Sequence, residues 1–506
     1  MLRQQEVDRL SVLTTPICNP GADMTELATL APTEPTAEEL RAALDVQRAA
    51  FARGAPDYKR RLDALAALRD GVRAHEDDLV AAIAADYGGR AREETLLLEL
   101  LPLYDQIRHA RRHLRSWMKR RRVGSTWFLL PSRAFIMYQP LGVVGVIGAW
   151  NYQLVLTLGP LVDALAAGNH VILKPSEITP RSAELVARII AERFPPEYVT
   201  VFAGPARVGA AFSALPFDHL IFTGSTRLGP TVMKAASENL TPVTLELGGK
   251  SPAIVHSSFP LPVALRRILV GKLYNAGQTC IAPDYLMVPH GSESDVERET
   301  KRIVAELYPR LVQNPDYTRI VNSSHYERLR SVVREAEEGG ARIVEINPAS
   351  EHCSIENKVI PPTLVFQPPL DAAIMREELF GPLLPVVTYR SLDEAIAFVN
   401  ARPRPLALYY FDNDHGRVNE VLERTISGGV TINDVILHIG QHNLPFGGVG
   451  ASGMGHYHGL AGFLTFSKQK GVMVQRRWAP AALFAPPFGS RVQRLISLVL
   501  GLVRRS

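Results

Sequence analysis

Apolar residues recur at helical spacing through the first part of the chain. Thr36-Ala37-Glu38-Glu39 has the form of a capping box, and the periodicity behind it predicts a helix to about Arg53. Two more helical stretches follow, over 58–86 and 92–118, with a break at Gly88 and Gly89. From Gly142 the texture changes. Short apolar runs at 143–147, 171–173, 199–202, 219–222 and 243–247 alternate with helical stretches at 154–167, 182–194 and 229–237. Such alternation predicts βαβ units and a parallel sheet covered on both faces. A second alternating region spans about 250–430, with strand-like runs at 253–255, 285–288, 364–366 and 384–387. Two α/β lobes are expected, with the segment from Glu246 to Cys280 at their junction, where enzyme clefts form.

The two ends differ from this body. Residues 1–35 are rich in Thr, Pro and small side chains without periodicity, and read as a loose arm; Met24 is an alternative start. The tail, 475–506, contains an amphipathic helix in which Val492, Leu495, Ile496, Val499, Leu502 and Val503 fall at helical spacing between arginines. Its apolar core spans roughly 14 Å, about half the hydrocarbon of a bilayer, so it is too short to cross alone. Packing on its own protein or a partner subunit is the favoured placement, and an interfacial membrane contact is the alternative.

Composition narrows the class. At 506 residues the chain is long enough for two or three lobes. A 46% hydrophobic fraction with a mean hydropathy of +0.01 fits a globular protein with a large interior. Fifty-six basic residues nearly match 51 acidic ones, and a net charge of +5 is too small an excess to imply a nucleic-acid partner. The run Lys119-Arg120-Arg121-Arg122 reads as the solvated C-terminal end of a helix, with an anion or membrane-surface contact as the alternative. Three cysteines, Cys18, Cys280 and Cys353, argue against a disulfide framework and for a reducing compartment. No metal-ligand spacing appears, and no continuous apolar segment marks a signal peptide, so the cytoplasm is expected.

The candidate chemistry sits in a few short motifs. Cys280 closes Gly277-Gln278-Thr279-Cys280, and Glu246 lies in Leu245-Glu246-Leu247-Gly248-Gly249-Lys250. A thiolate can attack a carbonyl carbon, but the thioester it forms needs an activated water for release. A carboxylate tuned by burial can activate that water. Phe222-Thr223-Gly224-Ser225-Thr226-Arg227-Leu228-Gly229 joins a strand to a helix, offering free N–H groups to a phosphate. Taken alone it is more often a plain turn. Lys174-Pro175-Ser176-Glu177 ends an earlier strand, where an acid can accept from ribose hydroxyls and repel a 2′-phosphate, leaning the site toward NAD over NADP. Its other reading is a surface ion pair. Asn151, after Trp150, can donate to an oxyanion or cap the next helix. Glu378, in Glu377-Glu378-Leu379-Phe380-Gly381-Pro382, also reads as an ordinary helix-end acid.

Together these motifs resemble the aldehyde dehydrogenase superfamily over 36–474, with the Glu246 and Cys280 motifs the most specific. Asn433-Asp434-Val435, Leu444-Pro445-Phe446-Gly447-Gly448-Val449-Gly450 and Gly453-Met454-Gly455-His456-Tyr457-His458-Gly459 look like class 3 enzymes, with coniferyl-aldehyde dehydrogenases as the nearest branch, including the Pro486-Pro487-Phe488-Gly489 tail. The resemblance implies Cys280 as nucleophile, Glu246 as general base and Asn151 as oxyanion donor. It places Trp150, Lys174, Glu177, Gly224, Ser225, Glu378 and Phe380 around a nicotinamide dinucleotide, NAD with NADP possible. Tyr152 and Phe446 flank family substrate positions. Ala149 and Gln153 stand where prolines are usual in the family, on either side of Asn151.

The fold this implies is α/β, a Rossmann-like NAD-binding domain (36–124 and 140–245) with a second α/β catalytic domain (246–430). A small β-strand oligomerisation extension (125–139 and 431–474) is expected to pair with a second copy in a homodimer. The implied reaction is NAD-dependent oxidation of an aldehyde to its acid through a cysteine thioester. Coniferaldehyde or a related arylpropenal is the expected substrate, with medium- to long-chain fatty aldehydes as the alternative. A cysteine hydrolase using Cys280 would instead need a histidine base and no nucleotide, and a non-catalytic relative would lack cofactor-dependent turnover.

Overall fold

The computed structural model describes residues 34–479 and 483–504; the N-terminal arm up to 33, with Met24 and Cys18, lies outside them. The capping box forms as its sequence requires. Thr36 accepts from Glu39 N–H while the Glu39 carboxylate accepts from Thr36 N–H at 2.8 Å, opening the helix Ala37–Ala52. The stretch expected over 58–86 is two helices, Tyr58–Ala74 and Glu76–Tyr87, divided at His75. The next stretch is interrupted by a π-helical turn, Leu96–Leu100, ahead of the helix Leu101–Trp117.

The first sheet runs in the order Gly453–Met454, Val243–Glu246, His219–Thr223, Val143–Ile147, His170–Lys174, Val199–Val201. All neighbours are parallel except the short Gly453–Met454 edge. The first of the parallel strands, Val143–Ile147, lies between the second and the fourth. The chain therefore winds outward in both directions from it, and a crevice opens at the carboxyl ends of the strands at that switch point. Between Val199–Val201 and His219–Thr223 the sequence reading missed the helix Ala206–Ser213.

The second sheet has seven strands, in the order Arg342–Glu345, Thr363–Phe366, Leu383–Tyr389, Tyr285–Pro289, Pro252–Val255, Ala407–Phe411, Gly429–Ile432. Only the Arg342–Glu345 edge is antiparallel. Ala407–Phe411 is entirely buried and went unread, and the boundary expected at 430 cuts through Gly429–Ile432. The segment 431–474 is divided among three sheets: it ends that strand, supplies Gly453–Met454 to the first sheet, and supplies Ser467–Val474 to the third.

The third sheet is small and antiparallel, Arg121–Val123, Arg133–Pro140 and Ser467–Val474. The basic run therefore does not end a helix. The helix stops at Trp117, and Arg121 and Arg122 lie in an exposed edge strand. The tail helix Ser490–Val503 forms, but none of its side chains is buried. Val492, Leu495 and Val499 are half-buried, so packing on its own protein is partial among the described residues. No helix among them is long and apolar enough to cross a membrane.

Candidate active site

The carboxyl ends of the first sheet's strands collect the motifs. Val143–Ile147 leads to Trp150 and Asn151, His170–Lys174 to Glu177, His219–Thr223 to Gly224 and Ser225, and Val243–Glu246 ends on Glu246 itself. Parallel strands with right-handed crossovers must place these ends on one edge, which is how residues far apart in sequence converge.

Cys280 follows a loop in a rare conformation. Asn275, Ala276 and Gly277 all have positive φ, at 52°, 50° and 75°. A Cβ on Gly277 would come within 2.2 Å of the Gly381 carbonyl oxygen, so the motif glycine is needed twice over. Buried side chains hold the loop in place. Gln278 Nε2 donates to the Asn275 and Arg319 carbonyls at 2.9 and 3.0 Å, and its Oε1 accepts from Val321 N–H at 2.9 Å. Asn275 Nδ2 donates to the Asn151 carbonyl at 2.9 Å, and Asn151 Nδ2 donates to the Gln278 carbonyl at 3.1 Å. The amide of Asn151 is thereby tied to the loop carrying the sulfur, and an NH₂ group keeps a second hydrogen to offer. Tyr152 Oη and Thr279 Oγ1 share a hydrogen bond of 2.7 Å beside the cysteine.

Beneath this loop lies a charged buttress that the sequence reading did not single out. Arg90 is buried, donates to Glu99 Oε1 at 2.7 Å and sits 3.8 Å from Glu94. Glu99 accepts Leu154 N–H at 2.7 Å, at the start of the wholly buried helix Gln153–Ala167. Glu94 accepts Asn275 N–H at 3.1 Å and the Thr318 hydroxyl at 2.7 Å. The one sequence signal was the polar cluster after Gly88-Gly89, in a chain where buried charges need partners.

The carboxylates facing the thiol are different. Glu246 is buried, and neither of its oxygens has a hydrogen-bond partner. Burial alone raises its pKa well above the usual carboxylate range. Glu378 is raised to about 8 by burial and by the negative charge of Asp284, against a hydrogen bond from Gly249 N–H, and its Oε1 has no partner. Burial, then Glu378, then Glu246 push the Cys280 thiol up, so both carboxylates act on the sulfur electrostatically. Lys250 reaches the Ile374 and Glu377 carbonyls at 2.8 and 2.9 Å and pairs with Asp284, whose other oxygen accepts Leu379 N–H at 3.1 Å. The last residue of the glutamate motif thus pins the turn that carries Glu378. Tyr457, quoted in the sequence only as part of a motif, has a buried hydroxyl without a partner and feels the charges of Glu246 and Cys280.

The donors at this edge fit a dinucleotide. Ser225 to Leu228 are exposed ahead of the helix Gly229–Ser237, whose positive dipole end faces outward there, while Gly229 N–H already donates to the Ser225 carbonyl and Pro230 has none to offer. A Cβ on Gly229 would meet Leu247 at 2.8 Å, so glycine permits close helix–strand packing there. Lys174 is buried and pairs with the exposed Glu177 at 2.5 Å. A Cβ on Gly248 would strike the Glu378 carboxylate, so that glycine leaves the acid its room. Phe380, at φ 52°, lies edge-on to Trp150 with centroids 5.3 Å apart. Phe446 is less free than its sequence position suggested. It is buried, with His458 stacked 5.4 Å and His438 stacked 6.0 Å away.

Comparison with known proteins decides the family. The profile described as "Aldehyde dehydrogenase family" matches residues 10–472. This chain belongs to the aldehyde dehydrogenase family. It is 48% identical over 474 residues to a probable coniferyl aldehyde dehydrogenase of Pseudomonas aeruginosa, covering 93% of this chain and 98% of that one. Among solved structures, a substrate-bound Staphylococcus aureus AldH superposes with a TM-score of 0.85 at 38% identity, covering 90% of this chain and 98% of that one. A Mycobacterium tuberculosis aldehyde dehydrogenase complexed with NAD+ superposes at 0.80 and 26% identity, covering 88% and 92%. The fold is that of the aldehyde dehydrogenases, with the Rossmann-like sheet, the second α/β domain and the small β extension described above.

Proposed function

We propose that this aldehyde dehydrogenase uses NAD to oxidise an aromatic aldehyde of the arylpropenal type, such as coniferaldehyde, through a thioester on Cys280. The observation that carries the chemistry is the Glu246 carboxyl, buried and unpartnered while acting on the Cys280 thiol. A group so placed holds a proton strongly and has no competing hydrogen bond, which suits a base for water. In this reading Cys280 Sγ adds to the carbonyl carbon, and Asn151 Nδ2 with the Cys280 backbone N–H receives the developing oxyanion. NAD, when bound, supplies the hydride acceptor. Trp150, Lys174, Glu177, Gly224, Ser225, Glu378 and Phe380 would hold it. Glu246 then takes a proton from the water that attacks the thioester, releasing the acid and the free thiol.

Glu177 supports NAD over NADP, because a 2′-phosphate would meet its negative charge. Equal kcat/KM with both cofactors in the unmutated enzyme would remove that preference, and Glu177→Gln is expected to improve NADP relative to NAD. The aromatic substrate rests on similarity to coniferyl aldehyde dehydrogenases and on Tyr152 beside Thr279. Stacking contributes about 0.5–1.5 kcal/mol per good pair, so discrimination of roughly tenfold is the most one contact can give. Ranking coniferaldehyde, a short aliphatic aldehyde and a long-chain aldehyde by kcat/KM tests the reading, and a clear win for the fatty aldehyde sinks it. A homodimer through the exposed edge strand Ser467–Val474 completes the proposal, and solution mass checks it.

A further inference from the structure

The C-terminal segment carries an unused surface. From Val435 to the end of the chain there is no Asp or Glu, while Lys468, Lys470, Arg476, Arg477, Arg491, Arg494, Arg504 and Arg505 are all basic. In the helix Ser490–Val503 the apolar Val492, Leu495, Leu498, Val499 and Leu502 fall on one side. Gln493, Arg494, Ser497 and Gly501 fall on the other, Arg491 lies at the N-terminal end of the apolar side, and Arg504 follows the last turn. The apolar side is only partly covered by the chain: Leu498 is 64% and Leu502 56% exposed, Val492, Leu495 and Val499 are half-buried, and no residue of the helix is fully buried. The approach to the helix adds exposed Trp478 and Phe488, each 61% accessible.

Its charge identifies what can cover this helix. A direct contact of this helix with its own copy across a two-fold axis would bring arginines against arginines, with no acid in the segment after Asp434 to neutralise them. A basic polar side, a wide apolar side and flanking large aromatics match a lipid interface with negative headgroups. The length agrees, since fourteen residues rise about 21 Å and cannot span.

We propose that the helix Ser490–Val503 docks the enzyme on an anionic lipid surface, lying in the interface plane. Its leucines enter the acyl boundary and its arginines meet the headgroups. The inference is independent of which aldehyde the active site takes.

The test is sedimentation of the full chain with vesicles of phosphatidylcholine alone and of phosphatidylcholine mixed with phosphatidylglycerol. The anionic vesicles are expected to retain the protein at least about tenfold better than the neutral ones, and raised salt to weaken that retention. The double variant Leu498→Glu/Leu502→Glu should lose at least about tenfold in vesicle binding. It should keep its turnover of a short, water-soluble aldehyde and its solution mass. Arg491→Gln/Arg494→Gln should weaken anionic binding, and lysine at both positions should restore it. Retention by neither vesicle type, or equal retention by both, overturns the proposal. A leucine variant that changes mass while vesicle binding stays intact overturns it as well, since the helix then belongs to a subunit contact.

Discussion

Glu99 and Glu246 are both fully buried glutamates in the first lobe, yet they live in opposite surroundings. Glu99 has Arg90 on one oxygen and the Leu154 N–H on the other, while Glu246 has no partner on either. The same division separates two regions of the site. Around Asn275, Gln278 and Arg90 the carboxylates and the amide donors are paired, which fixes the backbone leading to Cys280, although Arg90 Nε and Nη2 and Asn275 Oδ1 have no hydrogen-bond partner of their own. Around Glu246, Glu378 and Tyr457 buried oxygens are left open. An unpaired buried polar group costs about 1–3 kcal/mol, so a fold retains such groups where they serve something beyond stability. Paired carboxylates here hold a shape, and unpaired ones are available for proton transfer.

Four experiments press on that contrast. The largest effect is expected for Cys280→Ala, which should cut NADH formation by more than about a thousandfold while leaving the thermal midpoint close to that of the parent. Steady turnover by this protein would take the nucleophile away from Cys280. Next, Glu246→Gln should form up to one NADH per site and then stall as an acylated enzyme, with steady-state kcat down about a hundredfold or more. Rapid-quench measurement of the burst against the steady rate distinguishes this from a loss of binding, and undiminished deacylation would exclude Glu246 as the base.

Arg90→Met probes the other region. It leaves Glu99 buried without its cation, so a loss of about 3–5 kcal/mol in unfolding free energy is expected, read from denaturant midpoints. Adding Glu99→Gln should recover part of it. Glu246→Gln, by contrast, should be neutral or stabilising, and the opposite order would erase the distinction between the two glutamates.

The smallest effect is the pH response. Glu378 is raised to about 8 in the fold, from about 4.5 in the open chain. Between those values the folded protein keeps a proton that the unfolded chain has released. Its contribution to stability therefore falls as pH rises through that window. Glu378→Gln should flatten the decline in thermal midpoint from pH 5 to about 8. Glu246 shifts in the same direction, and its basic form grows with pH, so deacylation should quicken as pH rises. A deacylation rate independent of pH would count against it.

The sequence alone determined the alternating lobes, because a strand buried on both faces must be an apolar run and its crossover helix must be amphipathic. It also put forward Cys280, Glu246 and Asn151 as candidates, whose roles rest on the family resemblance their motifs carry together and not on any one residue alone. What it could not give were the partners. Nothing in the sequence sets Arg90 apart from the other arginines until the fold carries it to Tyr152, with its guanidinium 5.1 Å from that ring. The basic run at 119–122 reads as a helix end until Arg121–Val123 pairs with Arg133–Pro140. Segment 431–474 reads as one extension, but tertiary structure divides it among three sheets. Local pattern records which face of an element is apolar. Only the folded chain decides which buried charge meets a partner, because those partners come from segments distant in sequence.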